Sequence, residues 1–224
     1  MKLIIFEDNK EKSLFPYCIN HASFEIRVGL YSNIERIISN HKDNDGVYLI
    51  VRKEIEKIVK YRYQDYIVNP EVIPKGKYFN ARNICQDNKS GFDKREEDIL
   101  LVDFSDYLKL VVDSKNTCIQ VNFLWDLFEL NKQILVSDIE KYKFDAISSF
   151  PSVNKLFETI QKKYDSATLI NEKNIIINED SEIKYGVIID ASKSPVIIGK
   201  NVTIDYGSII QGPVFIDDNS YISQ

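Results

Sequence analysis

An isoleucine recurs at every sixth residue near the end of the chain, and this spacing restricts the fold more than any other feature. The stretch VIIGKNVTIDYGSIIQGPVFIDDNSYI begins at Val196. A period of six fits neither a helix nor an ordinary strand, and a fixed long period is typical of a solenoid, in which each repeat packs on its neighbours. The series consists of Ile177, Ile183, Ile189, Ile198, Ile204, Ile210, Ile216 and Ile222.

One step in the series is longer, because ASKSP places a three-residue insertion between Ile189 and Ile198. A small or β-branched residue stands two positions before each isoleucine from Ile183 onwards. Over residues 174–224 this pattern resembles the hexapeptide repeat of left-handed parallel β-helices. The resemblance implies triangular coils in which each isoleucine stacks on its counterpart one coil away. Three glycines are expected at corners with positive φ, namely Gly199, Gly207 and Gly212.

The predicted coils stop at Gln224 without a capping helix or a polar final turn. An open end of this kind exposes strand edges and the cut face of the core. We therefore expect either that the 224 residues belong to a longer protein or that oligomerisation covers the end. The resemblance implies a homotrimer as one assembly to be tested. The repeat segment has no histidine, which related acyltransferases generally use, so acyl transfer by this chain alone is not expected.

The preceding part of the chain alternates short apolar strands with amphipathic helices. LIIFED and GVYLIV are typical of buried strands, whereas Ile34, Ile37 and Ile38 have helical spacing. TCIQVNFLWDLF predicts a strand followed by the start of a helix. The predicted fold class is α/β, a mixed-sheet domain followed by the first coils of the β-helix. The predicted boundaries are residues 1–150 for the domain, 151–173 for a linker helix and connection, and 174–224 for the coils.

Composition excludes several classes of partner. A net charge of -5 and a pI of about 5.2 argue against binding to nucleic acid or acidic lipid. No apolar run is long enough to span a membrane, so no membrane partner is expected. The three cysteines are far apart and lack CxxC spacing. We therefore expect reduced thiols, a cytoplasmic location and no zinc site.

Four stretches of sequence carry a resemblance to a known family. They are IIFEDNKEKSLFPYCINHASFEIRVG from Ile4, YFNAR from Tyr78, FLWDLFELNKQILVSD from Phe123, and VIIDASKSPVIIGKNVTIDYGSIIQGP from Val187. The chain resembles the sugar-1-phosphate nucleotidyltransferases, and more closely a bacterial group similar to N-acetylglucosamine-1-phosphate uridyltransferase. The resemblance covers nearly the whole chain.

The resemblance implies that a sugar 1-phosphate attacks the α-phosphorus of a nucleoside triphosphate (NTP) and that pyrophosphate leaves. Such a site must neutralise a polyphosphate with cations and Mg²⁺. It implies Lys12 and Arg27 as catalytic groups and Asp126, or Asp8 in its place, as a magnesium ligand. The residues expected to bind substrate phosphates are Asp8, Lys10, Asn80 and Arg82.

Each of these residues also has a structural interpretation. Asp8 could shape a turn, and Lys10 and Lys12 could be solvated surface lysines. Arg27 could form an ion pair with Glu25 or another neighbouring acid, and Asp126 could cap the helix that begins there. We expect Arg82 to reach the ligand crevice, because a basic residue at the carboxyl end of a strand in an α/β sheet points there.

The loop EDNKEKSLFP departs from the family pattern because it has no glycine, so its backbone amides approach phosphate less easily. Cys18 and the pair His21–Ala22 depart from the pattern as well. Two functions therefore remain open. One is nucleotidyl transfer, and the other is a non-catalytic module that binds a nucleotide sugar or forms trimers within a longer β-helical protein.

Overall fold

In the computed structural model the described residues are 1–86, 91–100, 118–149, 164, 166–178 and 180–223. Contacts within the chain group them into two units, Met1–Leu130 and Asn131–Gln224. Residues 151–163 and 165 of the predicted linker helix and connection lie outside the described residues, and the predicted boundaries stay predictions. No helix within the described part of the chain has the length and apolar character that crossing a membrane requires.

The centre of the first unit is a five-stranded sheet in the order β5-β4-β1-β7-β9. All neighbours pair in parallel except β7 and β9, which are antiparallel. The predicted mixed sheet is thus confirmed. The strands of this unit are β1 (Leu3–Phe6), β2 (Arg27–Val28), β3 (Tyr31–Ser32), β4 (Val47–Ile50), β5 (Ile67–Val68), β6 (Val72–Ile73), β7 (Gly76–Asn80), β8 (Asn83–Ile84), β9 (Phe92–Arg95), β10 (Ile99–Leu100) and β11 (Ile119–Gln120).

Both faces of the sheet are covered, which explains why its strands read as continuous apolar runs. Leu3 and Ile5 pack in the cluster that also contains buried residues of α1 and α2, whereas Ile4 and Phe6 pack in a separate cluster. Helix α1 begins after Ser32, whose hydroxyl and backbone form a capping box with Glu35. The helices are α1 (Asn33–Asn40), α2 (Glu56–Arg62) and α3 (Asp126–Ser149).

The prediction of reduced thiols is wrong for two of the three cysteines. Strands β8 and β11 pair antiparallel, and this pairing brings Cys85 and Cys118 together in a disulfide. Cys18 is a free, buried thiol. The sequence did not reveal this disulfide, because the two cysteines are 33 residues apart and are brought together by the pairing of β8 with β11.

The second unit consists of three parallel sheets with three strands each, and successive strands of a sheet belong to successive coils. The predicted stacking of isoleucines is confirmed. Ile198 pairs in register with Ile177 in the preceding coil and Ile216 in the following coil. The strands are β12 (Thr168–Ile170), β13 (Ile175–Ile177), β14 (Glu182–Ile183), β15 (Ile188–Asp190), β16 (Val196–Ile198), β17 (Thr203–Ile204), β18 (Ile209–Gln211), β19 (Val214–Ile216) and β20 (Tyr221–Ile222).

The corners of the coil differ from the prediction at two of the three glycines. Gly207 has a positive φ of 68°, as predicted, but Gly199 and Gly212 do not. A Cβ on Gly199 would collide with Asp218, and a Cβ on Gly212 would collide with the carbonyl oxygen of Ser194. Close approach of neighbouring coils therefore requires these two glycines. Gly186 also has a positive φ of 77°, and the remaining left-handed positions of this unit are held by polar residues, namely Asn171, Asp180, Asn201 and Asn219.

Replacing Ile198 with alanine is expected to lower the free energy of unfolding by about 2–5 kcal/mol. The side chain is completely buried between two stacked isoleucines, so the change leaves a cavity in the middle coil. Urea denaturation followed by circular dichroism measures the loss. The matched control is Ile209→Ala, at a side chain that is 70% exposed, with an expected loss below about 1 kcal/mol. Equal losses in the two variants would contradict the stacked core.

Candidate active site

The strand order of the sheet reverses beside its central strand. From β1 the chain adds β4 and then β5 on one side, and it returns to the other side of β1 as β7. In open α/β sheets, ligands bind outside the carboxyl ends of the strands at such a reversal. Glu7 and Asp8 follow β1 there, and Ala81 and Arg82 follow β7. The candidate site therefore lies at this edge of the sheet.

Three of the residues predicted to bind substrate meet at this edge. Arg82 Nε donates a hydrogen bond to Asp8 Oδ1 at 2.8 Å, and Arg82 Nη2 contacts Asp8 Oδ2, so the pair is bidentate. Asn80 Nδ2 donates to Asp8 Oδ2 at 2.9 Å, and Asn80 Oδ1 accepts from the backbone amide of Arg82 at 2.9 Å. Asp8, Asn80 and Arg82 thus form one closed network.

Arg82 is also tied to the segment that follows β11. Its Nη1 donates to the carbonyl oxygen of Val121 at 2.7 Å and to Asn122 Oδ1 at 3.4 Å. The residue is only 1% exposed. Its charge is matched by Asp8, so a phosphate that bound the guanidinium would have to compete with that carboxylate. Phosphate binding by Arg82 stays a prediction, and the contacts give it a clear role in joining three segments.

The carboxyl group of Asp8 is held in its ionised form. Burial alone would raise its pKa, but the hydrogen bonds from Arg82 and Asn80 and the charge of Arg82 outweigh burial. The pKa of Asp8 therefore lies below its ordinary value of 3.8. Asp8 is thus an anion at neutral pH, although its oxygens face protein donors.

A second buried ion pair at the same edge was not predicted. Glu7 is 1% exposed, and its Oε1 accepts from Arg52 Nη1 at 2.6 Å and from the backbone amide of Ser23 at 2.8 Å. Arg52 also donates to the carbonyl oxygens of Cys18 and His21. Burial raises the pKa of Glu7 despite the opposing charge of Arg52. The pair fixes residues 18–23, which lie beside the site.

The two predicted lysines lie on the loop that follows β1. Lys10 and Lys12 are both exposed, and neither forms an ion pair with another described residue. Two hydrogen bonds fix the backbone of this loop. The Lys10 amide donates to Asp8 Oδ1 at 3.0 Å, and Ser13 Oγ donates to the carbonyl oxygen of Lys10 at 2.7 Å. Ser13 Oγ also contacts the carbonyl oxygen of Asn122. The loop thus presents two unpaired cations on a fixed backbone.

Arg27 lies apart from this network. It is on β2, it is exposed, and its Nη2 is 3.2 Å from Glu35 Oε2. The ion pair that the sequence left open for Arg27 is thus formed with the neighbouring Glu35 and not with Glu25, which pairs with Arg62 at 3.0 Å. The predicted catalytic role of Arg27 stays a prediction without a contact to the other candidate residues.

The predicted magnesium ligands are engaged by protein donors. Asp126 Oδ2 accepts the backbone amides of Asn122 and Phe123 at 2.8 and 2.9 Å, which fixes the start of α3. Both oxygens of Asp8 are engaged by Arg82, Asn80 and the loop. Among the described residues, no three acidic, histidine or cysteine side chains group as metal ligands. In this arrangement the carboxylates of Asp8 and Asp126 are occupied by protein donors and do not form a Mg²⁺ site. Binding of Mg²⁺ stays a prediction.

Comparison with known proteins identifies the part of the chain that carries this site. The model of a family described as sugar nucleotidyl transferase matches residues 3–145. The match therefore includes β1, the lysine loop, β7 and the segment that joins β11 to α3. No curated protein matches the chain.

Proposed function

This chain belongs to the sugar nucleotidyl transferase family, and we propose that it transfers a nucleotidyl group from an NTP to a sugar 1-phosphate. The family match over residues 3–145 carries the proposal. The reversal of strand order beside β1 supports a location at the carboxyl edge, between β1 and β7.

In this reaction an oxygen of the sugar 1-phosphate forms a bond to the α-phosphorus, and the bond from that phosphorus to the pyrophosphate oxygen breaks. The protein must hold both reactants in line and neutralise the developing charge on pyrophosphate. We assign these phosphate contacts to Lys10 and Lys12, with Lys12 at the leaving pyrophosphate. Their ammonium groups are exposed and unpaired among the described residues, whereas Arg27 and Arg82 are each paired with a carboxylate.

The second unit has a proposed role in assembly. We propose that its three parallel sheets form a left-handed β-helix built from hexapeptide repeats, and that this helix forms a homotrimer. The in-register stacks of isoleucines support the repeat. Size-exclusion chromatography with light scattering measures the assembly state directly.

A specific observation favours a second function for the first unit. Asp8 and Arg82 neutralise each other, and the loop EDNKEKSLFP that follows β1 contains no glycine. A site of this kind can bind a nucleotide sugar without activating a phosphate. The alternative is therefore a non-catalytic binding or assembly module of a longer β-helical protein.

Release of pyrophosphate tests the two functions. The purified chain is incubated with each common NTP and a panel of sugar 1-phosphates, with Mg²⁺ and in parallel with a chelator. The nucleotidyltransferase should release pyrophosphate with at least one pair. Lys12→Ala should then lower kcat/KM roughly 10- to 100-fold, the usual effect of losing a hydrogen bond to a charged group.

The matched control is Lys57→Ala, which removes an exposed lysine of α2 away from the loop and should leave kcat/KM unchanged. Equal rates for Lys12→Ala and the unaltered chain would refute the assignment of Lys12. If no pair releases pyrophosphate although circular dichroism shows a folded sample, the binding module becomes the better description.

A further inference from the structure

Three large aromatic side chains are exposed within one short segment at the start of α3. Large aromatic residues usually bury most of their surface, and an exposed group of them marks a binding surface. The exposed fractions are 44% for Phe123, 61% for Trp125 and 82% for Phe128.

Two of these rings are stacked face to face. The ring centroids of Phe123 and Trp125 are 4.5 Å apart, and their planes differ by only 8°. Asp126 fixes the turn beneath them, because its Oδ2 accepts the backbone amides of Asn122 and Phe123. The stack is therefore preformed, so that a ligand would not have to order the rings when it binds.

The aromatic stack is connected to the lysine loop by a direct contact. The carbonyl oxygen of Asn122 is in contact with Ser13 Oγ. Lys12 immediately precedes Ser13, and Phe123 immediately follows Asn122. The contact therefore places a flat aromatic surface and two exposed lysines on adjoining segments at one edge of the sheet.

We propose that the Phe123–Trp125 stack binds the nucleobase of the NTP face to face, while its phosphates contact Lys10 and Lys12. This proposal rests on the proposed function and adds the position of the base. A nucleotide combines a flat π surface with a polyanion, which is the combination that the two segments complement. Every base has a π face, so stacking tolerates different bases. We therefore expect a weak preference among the four NTPs in binding.

Trp125 is the only tryptophan of the chain, so its fluorescence reports the stack alone. Titration with UTP should quench this fluorescence, because a base stacked on the indole contacts it directly. Pyrophosphate, which has no base, should bind to the lysines and compete with UTP without quenching. Calorimetry measures both affinities independently of fluorescence.

Variants of Trp125, measured by calorimetry, separate stacking from a merely structural role. Trp125→Ala should weaken UTP binding about 5- to 150-fold, the range for losing one base–aromatic stack, and should leave the affinity for pyrophosphate unchanged. Trp125→Phe should restore UTP binding. The matched control is Tyr61→Ala, at a side chain of α2 that is 79% exposed, and it should change neither affinity.

Each other outcome has a definite meaning. If UTP binds by calorimetry but neither quenches Trp125 nor responds to Trp125→Ala, the stacking proposal is wrong and the proposed function stands. If neither UTP nor pyrophosphate binds, the proposed function fails and the stacking proposal fails with it. The Trp125 fluorescence could instead change with protein concentration in the absence of ligand, together with an increase in the molecular mass of the assembly. That result would assign the aromatic surface to a second copy of the chain and overturn the proposal.

Discussion

Replacing Asp8 with alanine is expected to lower the free energy of unfolding by about 3–5 kcal/mol, because the change leaves Arg82 charged, buried and without its carboxylate. Urea denaturation measures the loss. Replacing both partners, as in Asp8→Ala with Arg82→Met, should cost less than the sum of the two single changes, with a coupling of about 1–3 kcal/mol.

The control for this experiment is an exposed ion pair of the same unit. Lys60 and Glu56 pair across one turn of α2, and Lys60→Ala should cost only about 0.3–0.5 kcal/mol. If Asp8→Ala cost no more than Lys60→Ala, the network around Arg82 would not stabilise the sheet edge.

The same pair also gives a pH dependence with a definite sign. The pKa of Asp8 is lower in the folded chain than its ordinary value of 3.8, so the folded state favours the ionised carboxyl group. Its stabilising contribution is complete above that ordinary pKa and is lost as the pH falls through the folded-state pKa. The difference in unfolding free energy between the unaltered chain and Asp8→Asn should therefore be constant above about pH 5 and should shrink below about pH 4.

Removing the disulfide is expected to have the second largest effect. The double variant Cys85→Ala with Cys118→Ala should lose about 3–4 kcal/mol of unfolding free energy. A crosslink between residues 33 apart removes about that much chain entropy from the unfolded state. Reduction of the unaltered chain with a dithiol should produce a similar loss, measured by urea denaturation in both redox states.

The double variant is also the control for reduction, since a dithiol should not change its stability. Counting thiols provides a direct check, because the unfolded but unreduced chain should expose only the thiol of Cys18. Three reactive thiols in that sample would show that Cys85 and Cys118 are not bonded.

The sequence predicted the strand pairing of the second unit, although not the conformation of Gly199 and Gly212, because this pairing is local. In a solenoid each strand pairs with the strand of the next coil, so the period of the isoleucines directly gives the register between Ile177, Ile198 and Ile216. The insertion near Ser194 did not disturb this result, since it lies at a corner between strands. For the α/β sheet, the sequence predicted the mixed type and several of the strands. It did not predict the order of the strands.

The candidate site could be predicted only in part, for the same reason. Asp8 and Arg82 were found because each follows an apolar strand, but their pairing depends on β7 lying beside β1. Glu7 directly follows β1, and Arg52 lies two residues after β4. Their position near the strand ends was the only available signal. Spacing along the chain does not encode which strands become neighbours, so the buried ion pairs required the structure.

Gly212 lies against the corner that carries the insertion, at the position equivalent to Ser194 one coil earlier. A side chain at position 212 would collide with the carbonyl oxygen of Ser194. Glycine at position 212 is therefore expected to persist in descendants of this chain for as long as these two coils stay in contact.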